Sequence, residues 1–77
     1  MDIITKEING KTSVLIDGIC GVRTKIINLK LKTFNDKWKE AKKTSISKEF
    51  PELSYDEHIF LQTGLTDTEW NQIRKDN

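Results

Sequence analysis

The feature that most constrains the fold of this chain is the dipeptide Asn9-Gly10, which lies between two runs rich in β-branched residues. Asn-Gly readily adopts the positive φ angles of a tight two-residue turn between antiparallel strands. The run before it covers residues 3–8, and the run after it includes Thr12, Val14 and Ile16, which share one face of a strand. The sequence therefore predicts that the chain opens with a β-hairpin.

The segment over residues 23–33 fits both a strand and a helix. Ile27, Leu29 and Leu31 alternate along it as they would on one face of a strand. Apolar residues also recur at helical spacing from this segment into the next one. These residues are Ile27, Leu31, Phe34, Trp38 and Ala41. Two architectures follow, and both stay open at this point.

We favour the strand, because Lys30 and Lys32 then point away from the apolar face. In this interpretation a turn at Asp17-Gly18 leads into a third strand that ends near Lys32, and a helix follows over residues 35–43. The alternative is one long amphipathic helix in place of the strand. It leaves a bare hairpin that needs this helix for its stability.

The last third of the chain contains clear sequence signals for where helices begin and end. Residues 44–47 and Pro51 interrupt the preceding helix and form a linker. Segments 54–57 and 66–69 both fit the capping box, in which a first-position Ser or Thr and a fourth-position Glu satisfy each other's backbone N–H groups. Gly64 marks the end of the first of these helices. The prediction is a pair of short helices that form an αα-hairpin.

The length of 77 residues predicts one α+β domain. Its β-rich part covers residues 1–33, as a hairpin or a three-stranded meander, and its helical part covers residues 34–77 with two to three short helices. Cys20 is the single cysteine, which excludes an internal disulfide, and the charged N-terminus predicts no signal peptide or membrane span. We therefore expect a soluble cytoplasmic protein, either a monomer or a homodimer.

Charge divides the chain into two halves of opposite sign. The basic half, residues 1–48, contains eleven Lys or Arg and five Asp or Glu, whereas the acidic half, residues 49–77, contains two and seven. The halves thus carry about +6 and −5, although the net charge is +1. A molecule with separated charges steers a charged partner toward one face. This separation favours a binding function.

The basic half contains eight candidate nucleic-acid-binding residues in the third predicted strand and the following helix. They are Arg23, Lys25, Lys30, Lys32, Lys37, Lys39, Lys42 and Lys43. Basic side chains neutralise phosphates and release condensed counterions without reading a particular base sequence. The alternative is an ordinary solvated surface, since lysine also keeps exposed strands from pairing with other chains.

The predicted order of three strands followed by a helix is similar to that of the small DNA-binding modules of the AP2 type and of phage integrase arms. This order is seen in residues 11–16, 23–33 and 34–41. The likeness covers about half of the chain and consists of this architecture with a Thr-Phe-and-Ala entry to the helix. It implies a sheet that lies in the major groove of DNA. It includes no diagnostic motif, so it assigns no family.

The acidic half contains a second set of candidates, for a protein partner. They are Glu52, Asp56, Glu57, Asp67, Glu69 and Trp70. The two helices have the outline of a helix-turn-helix, yet carboxylates at the start of the second helix would repel phosphate. We therefore interpret them as an acidic helical pair, which would fit a cationic channel on a target protein.

Catalytic and metal sites have little basis in this sequence. Cys20 is the single cysteine and His58 the single histidine. We predict that neither is catalytic: Cys20 should be a small buried residue, and His58 should lie on the surface. The sequence has neither ordinary Cys/His metal spacing nor a glycine-rich phosphate loop. We expect no catalysis, no metal, no cofactor and no small-molecule substrate.

Two function hypotheses follow. The leading one is a small non-catalytic regulator, encoded by a phage or another mobile element, that contacts nucleic acid through its basic face. The alternative belongs to a different class: an inhibitor or adaptor that acts on a host defence or replication enzyme through the acidic helical pair.

Overall fold

The computed structural model describes residues 2–75 as a three-stranded antiparallel sheet followed by four helices. The strands are β1 (Asp2–Ile8), β2 (Lys11–Gly18) and β3 (Gly21–Ile27). The helices are α1 (Leu31–Ala41), α2 (Ile46–Glu49), α3 (Tyr55–Thr63) and α4 (Asp67–Lys75). The predicted α+β class with an N-terminal meander is confirmed. Within these residues no helix is both long enough and apolar enough to cross a membrane.

The sheet has the strand order β1-β2-β3 and two tight turns. Asn9 and Gly10 form the first turn with φ angles of 50° and 79°, so the predicted hairpin is confirmed. The second turn differs from the prediction. It is formed by residues 19–20, between the paired Gly18 and Gly21, rather than by Asp17-Gly18.

Residues 23–33, whose sequence fits both a strand and a helix, contain the end of a strand and the start of a helix. β3 ends at the fully buried Ile27, and α1 already begins at Leu31, so the strand is shorter and the helix starts earlier than predicted. Between them Thr12 Oγ1 donates a hydrogen bond to Leu29 O at 2.8 Å and holds the chain where it leaves the sheet. The alternative of one long helix over residues 23–33 is wrong.

The predicted linker contains a further helix. Ser45 begins α2, since its Oγ accepts a hydrogen bond from Lys48 N at 3.1 Å. Phe50 precedes Pro51 and ends this helix with φ −120° and ψ 55°, outside helical geometry as predicted. Up to residue 75 the helical part therefore contains four helices rather than two or three, and it begins at Leu31 rather than at residue 34.

Both predicted capping boxes are present. Ser54 Oγ accepts from Glu57 N at 3.2 Å, and Glu57 Oε1 accepts from Ser54 N at 2.9 Å. Thr66 and Glu69 make the same reciprocal pair at 3.3 and 3.1 Å. Gly64 ends α3 in the left-handed region, with φ 79°. We refer to α3 and α4 together as the acidic hairpin.

The sheet and the helices share one hydrophobic core. Thr12, Val14 and Ile16 are fully buried on one face of β2, which confirms the predicted alternation. Phe34 of α1 is also fully buried, and its ring centroid lies 6.0 Å from that of Trp38 and 5.3 Å from that of Phe50. The same face of the sheet that carries the buried residues is therefore the face that the helices cover.

The end of α3 lies directly on the end of β2. The Ile19 N–H donates to Thr63 O at 3.2 Å. Gly18 and Gly64 approach so closely that a Cβ on Gly64 would lie 2.9 Å from Gly18 Cα and 3.0 Å from Ile16 Cγ2. Only glycine permits this approach of two backbones. The contact holds the acidic hairpin against the sheet.

Candidate functional site

The two cations of β3 lie on the covered face of the sheet. Arg23 pairs across the ladder with Ile16, and Lys25 pairs with Val14, so each shares a face with a buried core residue. Their side chains keep about a third of their surface exposed, 34% and 31%. The likeness to DNA-binding modules implied a sheet that faces DNA with its basic residues. The register instead turns these two residues toward α4.

α4 supplies a carboxylate to each of the two strand cations. Arg23 donates to Glu69 twice, from Nε to Oε1 at 3.1 Å and from Nη2 to Oε2 at 2.8 Å, which is the bidentate geometry of strong pairs. Lys25 Nζ lies 3.9 Å from Asp67 Oδ1. Hydrogen bonds from Arg23 and from the Thr66 backbone lower the pKa of the Glu69 carboxyl to about 2. The hydrogen bonds to Glu69 raise the pKa of Arg23.

A third basic candidate is bound to the segment between α2 and α3. Lys37 Nζ donates to Glu49 O at 2.9 Å and lies 3.4 Å from Glu52 Oε1. Its ammonium therefore satisfies a carbonyl at the end of α2 and a carboxylate at once. Together with the two strand cations, Lys37 joins the basic and acidic halves, which the sequence suggested were separate surfaces.

Three further basic candidates form one row along the outer side of α1 and the turn that follows it. Lys32 and Lys39 lie in α1, and Lys43 lies two residues beyond its end, where the Lys43 and Thr44 N–H groups still donate to Glu40 O at 3.0 and 3.1 Å. All three are exposed, and their spacing of seven and four residues places them on one side, opposite the buried Phe34. These three residues are termed the lysine stripe. Lys32 Nζ also lies 3.1 Å from Asp36 Oδ2, but both side chains are exposed and such a pair stabilises little.

Lys30 and Lys42 lie beside the stripe, as the N-cap and C-cap residues of α1, and both are exposed. Within residues 2–75, no ion pair engages Lys30, Lys39, Lys42 or Lys43. Residues 30–43 contain six lysines, one aspartate and one glutamate, a local balance of +4. Because Lys37 is already paired with Glu52, this segment keeps an uncompensated charge of about +3.

The acidic candidates are largely engaged inside the molecule. Three of them form the ion pairs described above: Glu52, Asp67 and Glu69. Glu57 belongs to the capping box of α3. Trp70 is half-buried, and its Nε1 is buried without a hydrogen-bond partner among the described residues. Asp56 is half-buried and takes part in none of the ion pairs of residues 2–75.

Cys20 and His58 lie in different elements of the fold. Cys20 is exposed in the turn between β2 and β3, so the prediction that it is buried is wrong; the turn projects beyond the part of the sheet that packs on the core. His58 is half-buried, and its Nε2 lies 2.6 Å from Phe50 O. Because a carbonyl only accepts, Nε2 carries the proton in this bond. Among residues 2–75, no three His, Cys, Asp or Glu side chains are grouped as metal ligands.

A shallow open cleft of about 300 Å³ lies beside α1, where α2 and α3 meet it. Its lining residues are Trp38, Ala41, Lys42, Ile46, Leu61 and Gln62. The lining is largely apolar, and among the described residues Lys42 is the one charged residue that contributes to it. An aromatic ring and a cation therefore lie next to each other at the edge of the lysine stripe.

Sequence reasoning missed the uncovered face of the sheet, which is termed the open face. Ile4, Val22 and Ile26 project from it and are 65%, 54% and 51% exposed. Leu15 lies opposite Ile4 in the ladder and is half-buried. The signal was present, since Ile26 and Ile27 are consecutive and must lie on opposite faces of β3. Only one of the two can enter a core on a single side of the sheet.

No protein-family model matches this chain, and no curated protein or solved structure shows significant similarity to it. Function is therefore inferred from geometry and charge alone.

Proposed function

We propose that this protein is a small non-catalytic binding protein that contacts nucleic-acid phosphates through the lysine stripe, with Lys30 and Lys42 beside it. One observation supports this above all. The lysines of the stripe remain exposed, whereas Asp67 and Glu69 of the acidic hairpin pair with the cations of β3. The setting we propose is a regulator encoded by a phage or another mobile element that acts in the cytoplasm.

The contact would be electrostatic and independent of base sequence. Lys32 and Lys43 are eleven residues apart, so the stripe extends about 16 Å along the helix. Duplex DNA presents one phosphate per about 3.4 Å of axis on each strand, so about five phosphates lie within that length. The three ammonium groups of the stripe can each approach one of them. Arg23, Lys25 and Lys37 contribute little, because each is about two-thirds buried beside its carboxylate partner. Lys32 also has a partner, Asp36, but its side chain is 90% exposed and can leave that pair at little cost.

The cleft extends the proposal to single strands. Trp38 lines it beside Lys42, and an aromatic ring next to a cation suits a base stacked beside its phosphate. A duplex offers its phosphates but keeps its bases stacked within the helix. Single strands should therefore bind at least as tightly as duplexes of equal length.

The test is a fluorescence-anisotropy titration of labelled duplex and single-stranded oligonucleotides over a series of salt concentrations. The stripe variant combines Lys32→Gln, Lys39→Gln and Lys43→Gln. For duplex DNA we expect its slope of log Kobs against log[salt] to be shallower than that of the wild type by about 3, from three lost phosphate contacts. Binding should weaken on every base sequence alike.

The matched control removes the same charge elsewhere. Lys48, Arg74 and Lys75 are exposed and lie outside the stripe, so the triple change of these residues to Gln should leave the slope nearly unchanged. Equal effects of the two triple variants would show that net charge alone governs binding. A wild-type protein that binds neither oligonucleotide at low salt would end the proposal.

The inhibitor or adaptor hypothesis has less support, because Glu52, Asp67 and Glu69 are paired within the molecule. Asp56 and Glu57 are the acids of that set outside those ion pairs. If no nucleic acid binds, and capture of a defined enzyme depends on Asp56→Asn and Glu57→Gln, the inhibitor hypothesis becomes the better one.

A further inference from the structure

We propose that the open face is the interface of a symmetric dimer, in which β2 of one copy lies antiparallel across β2 of a second copy. This inference goes beyond phosphate binding and does not depend on it. The helices cover only one face of the sheet, so Ile4, Val22 and Ile26 remain exposed on the other. Packing against an equivalent sheet would bury them as in a two-sheet sandwich.

The charges on β2 are arranged to complement a second copy. Lys11 begins the strand and Asp17 lies near its end; both are exposed, and six residues separate them, so they share the open face. Six residues of strand correspond to about 20 Å. Positive and negative charge therefore occupy opposite ends of the same face.

This arrangement selects one of the two ways in which equivalent sheets can stack face to face. A twofold axis perpendicular to the strands, passing near Val14, places Lys11 of each copy over Asp17 of the other and forms two ion pairs. An axis parallel to the strands places Lys11 over Lys11 and Asp17 over Asp17, so like charges meet. A C2 interface is self-complementary, and for the charges of β2 only the first arrangement satisfies this.

The size of the face sets the expected affinity. Three strands about 4.8 Å apart and seven residues long at about 3.3 Å each give a footprint of roughly 300 Å² per copy. Stable interfaces typically bury about 800 Å² per partner. The dimer should therefore be weak, and it should form progressively as the concentration of the chain rises from micromolar to millimolar.

Sedimentation equilibrium of charge-reversed variants tests the ion pairs. Asp17→Lys alone and Lys11→Asp alone should each weaken dimerisation by roughly tenfold, because two attractive pairs become repulsive. An equimolar mixture of the two variants should dimerise as well as the wild type, since each variant then meets its complement. Lys48→Asp on α2 is the control and should change nothing. Ile26→Thr should weaken dimerisation while it preserves a β-branched residue in the strand.

The single cysteine reports the arrangement in the wild-type chain, so this test does not depend on how the variants fold. Cys20 is exposed at the Asp17 end of the sheet. Spin labels on Cys20 should be about 35 Å apart across the proposed dimer, because Cys20 lies about 17 Å along the strands from the axis in each copy and the two sheets are stacked about 10 Å apart. Distances under about 20 Å would overturn the antiparallel arrangement. A protein that stays monomeric at millimolar concentration, or a mixture that fails to dimerise better than its components, would overturn the proposal.

Discussion

Gly64 is the position where one added methyl group tests the packing of the acidic hairpin on the sheet. At φ 79° an alanine is strained by about 1–2 kcal/mol. Its Cβ would also lie 2.9 Å from Gly18 Cα, and because this neighbour is backbone, the overpacking adds about 1–3 kcal/mol. Gly64→Ala should therefore lower the free energy of unfolding by about 2–5 kcal/mol. A domain of this size has only about 4–12 kcal/mol in total.

Urea unfolding followed by tryptophan fluorescence measures this loss. Gly10→Ala is the matched control, because Gly10 has the same φ of 79° and no heavy atom within 4 Å of an added Cβ. It should lose only the strain of about 1–2 kcal/mol. In thermal unfolding, each further kcal/mol lowers the Tm of the Gly64 variant by about 4–8 °C relative to the control. Equal losses in the two variants would refute the close approach of α3 to β2.

Three further predictions concern the acidic hairpin. Because the folded pKa of Glu69 is about 2, below its ordinary value of 4.5, the Arg23 pair stabilises the fold above about pH 4.5 and is lost as the pH falls toward 2. The urea midpoint of the wild type should consequently fall more steeply over that range than that of Glu69→Gln; parallel curves would argue against the pair. Trp70→Phe removes an indole N–H that is buried without a partner, so it should change the free energy of unfolding by less than about 1 kcal/mol. A loss above about 2 kcal/mol would contradict this expectation. Ser54→Ala should cost about 1 kcal/mol by removing the N-cap of α3, whereas Ser54→Asp should cost little, both measured by urea unfolding; equal losses would argue against the cap.

The parts of the fold that the sequence predicted correctly are specified by neighbouring residues. Asn9-Gly10 sets its own turn through backbone preference. Ser54 with Glu57, and Thr66 with Glu69, start their helices through hydrogen bonds three residues apart. Such signals act before any tertiary contact forms, so they can be read from the chain alone.

The turn after β2 was predicted at the wrong place because a tertiary contact decides it. Asp17-Gly18 is a good turn sequence, yet Gly18 is used as the contact point for Gly64 and remains in the strand. The turn then moves to residues 19–20, and Cys20 becomes exposed. A glycine in a strand can indicate a close backbone approach as well as a turn, and the sequence does not distinguish them.

The candidate site was predicted only in part, for a related reason. The basic and acidic halves are distinct along the chain, but Arg23 and Glu69 meet across 46 residues of sequence, which no local pattern reveals. By contrast, the lysine stripe follows from helical spacing once α1 is known to cover residues 31–41 and its last turn is known to continue to Lys43. Separation of charge along a chain therefore does not guarantee separate charged surfaces.

Our central claim is that the acidic hairpin is held on β3 by its own carboxylates, which leaves α1 as the uncompensated basic surface. NMR titration of the Glu69 side-chain carboxyl, in the wild type and in Arg23→Gln, tests it most directly. We predict a pKa of about 2 in the wild type and a clear rise toward the ordinary value of 4.5 in the variant. A wild-type pKa near 4.5, unchanged by the substitution, would contradict the claim.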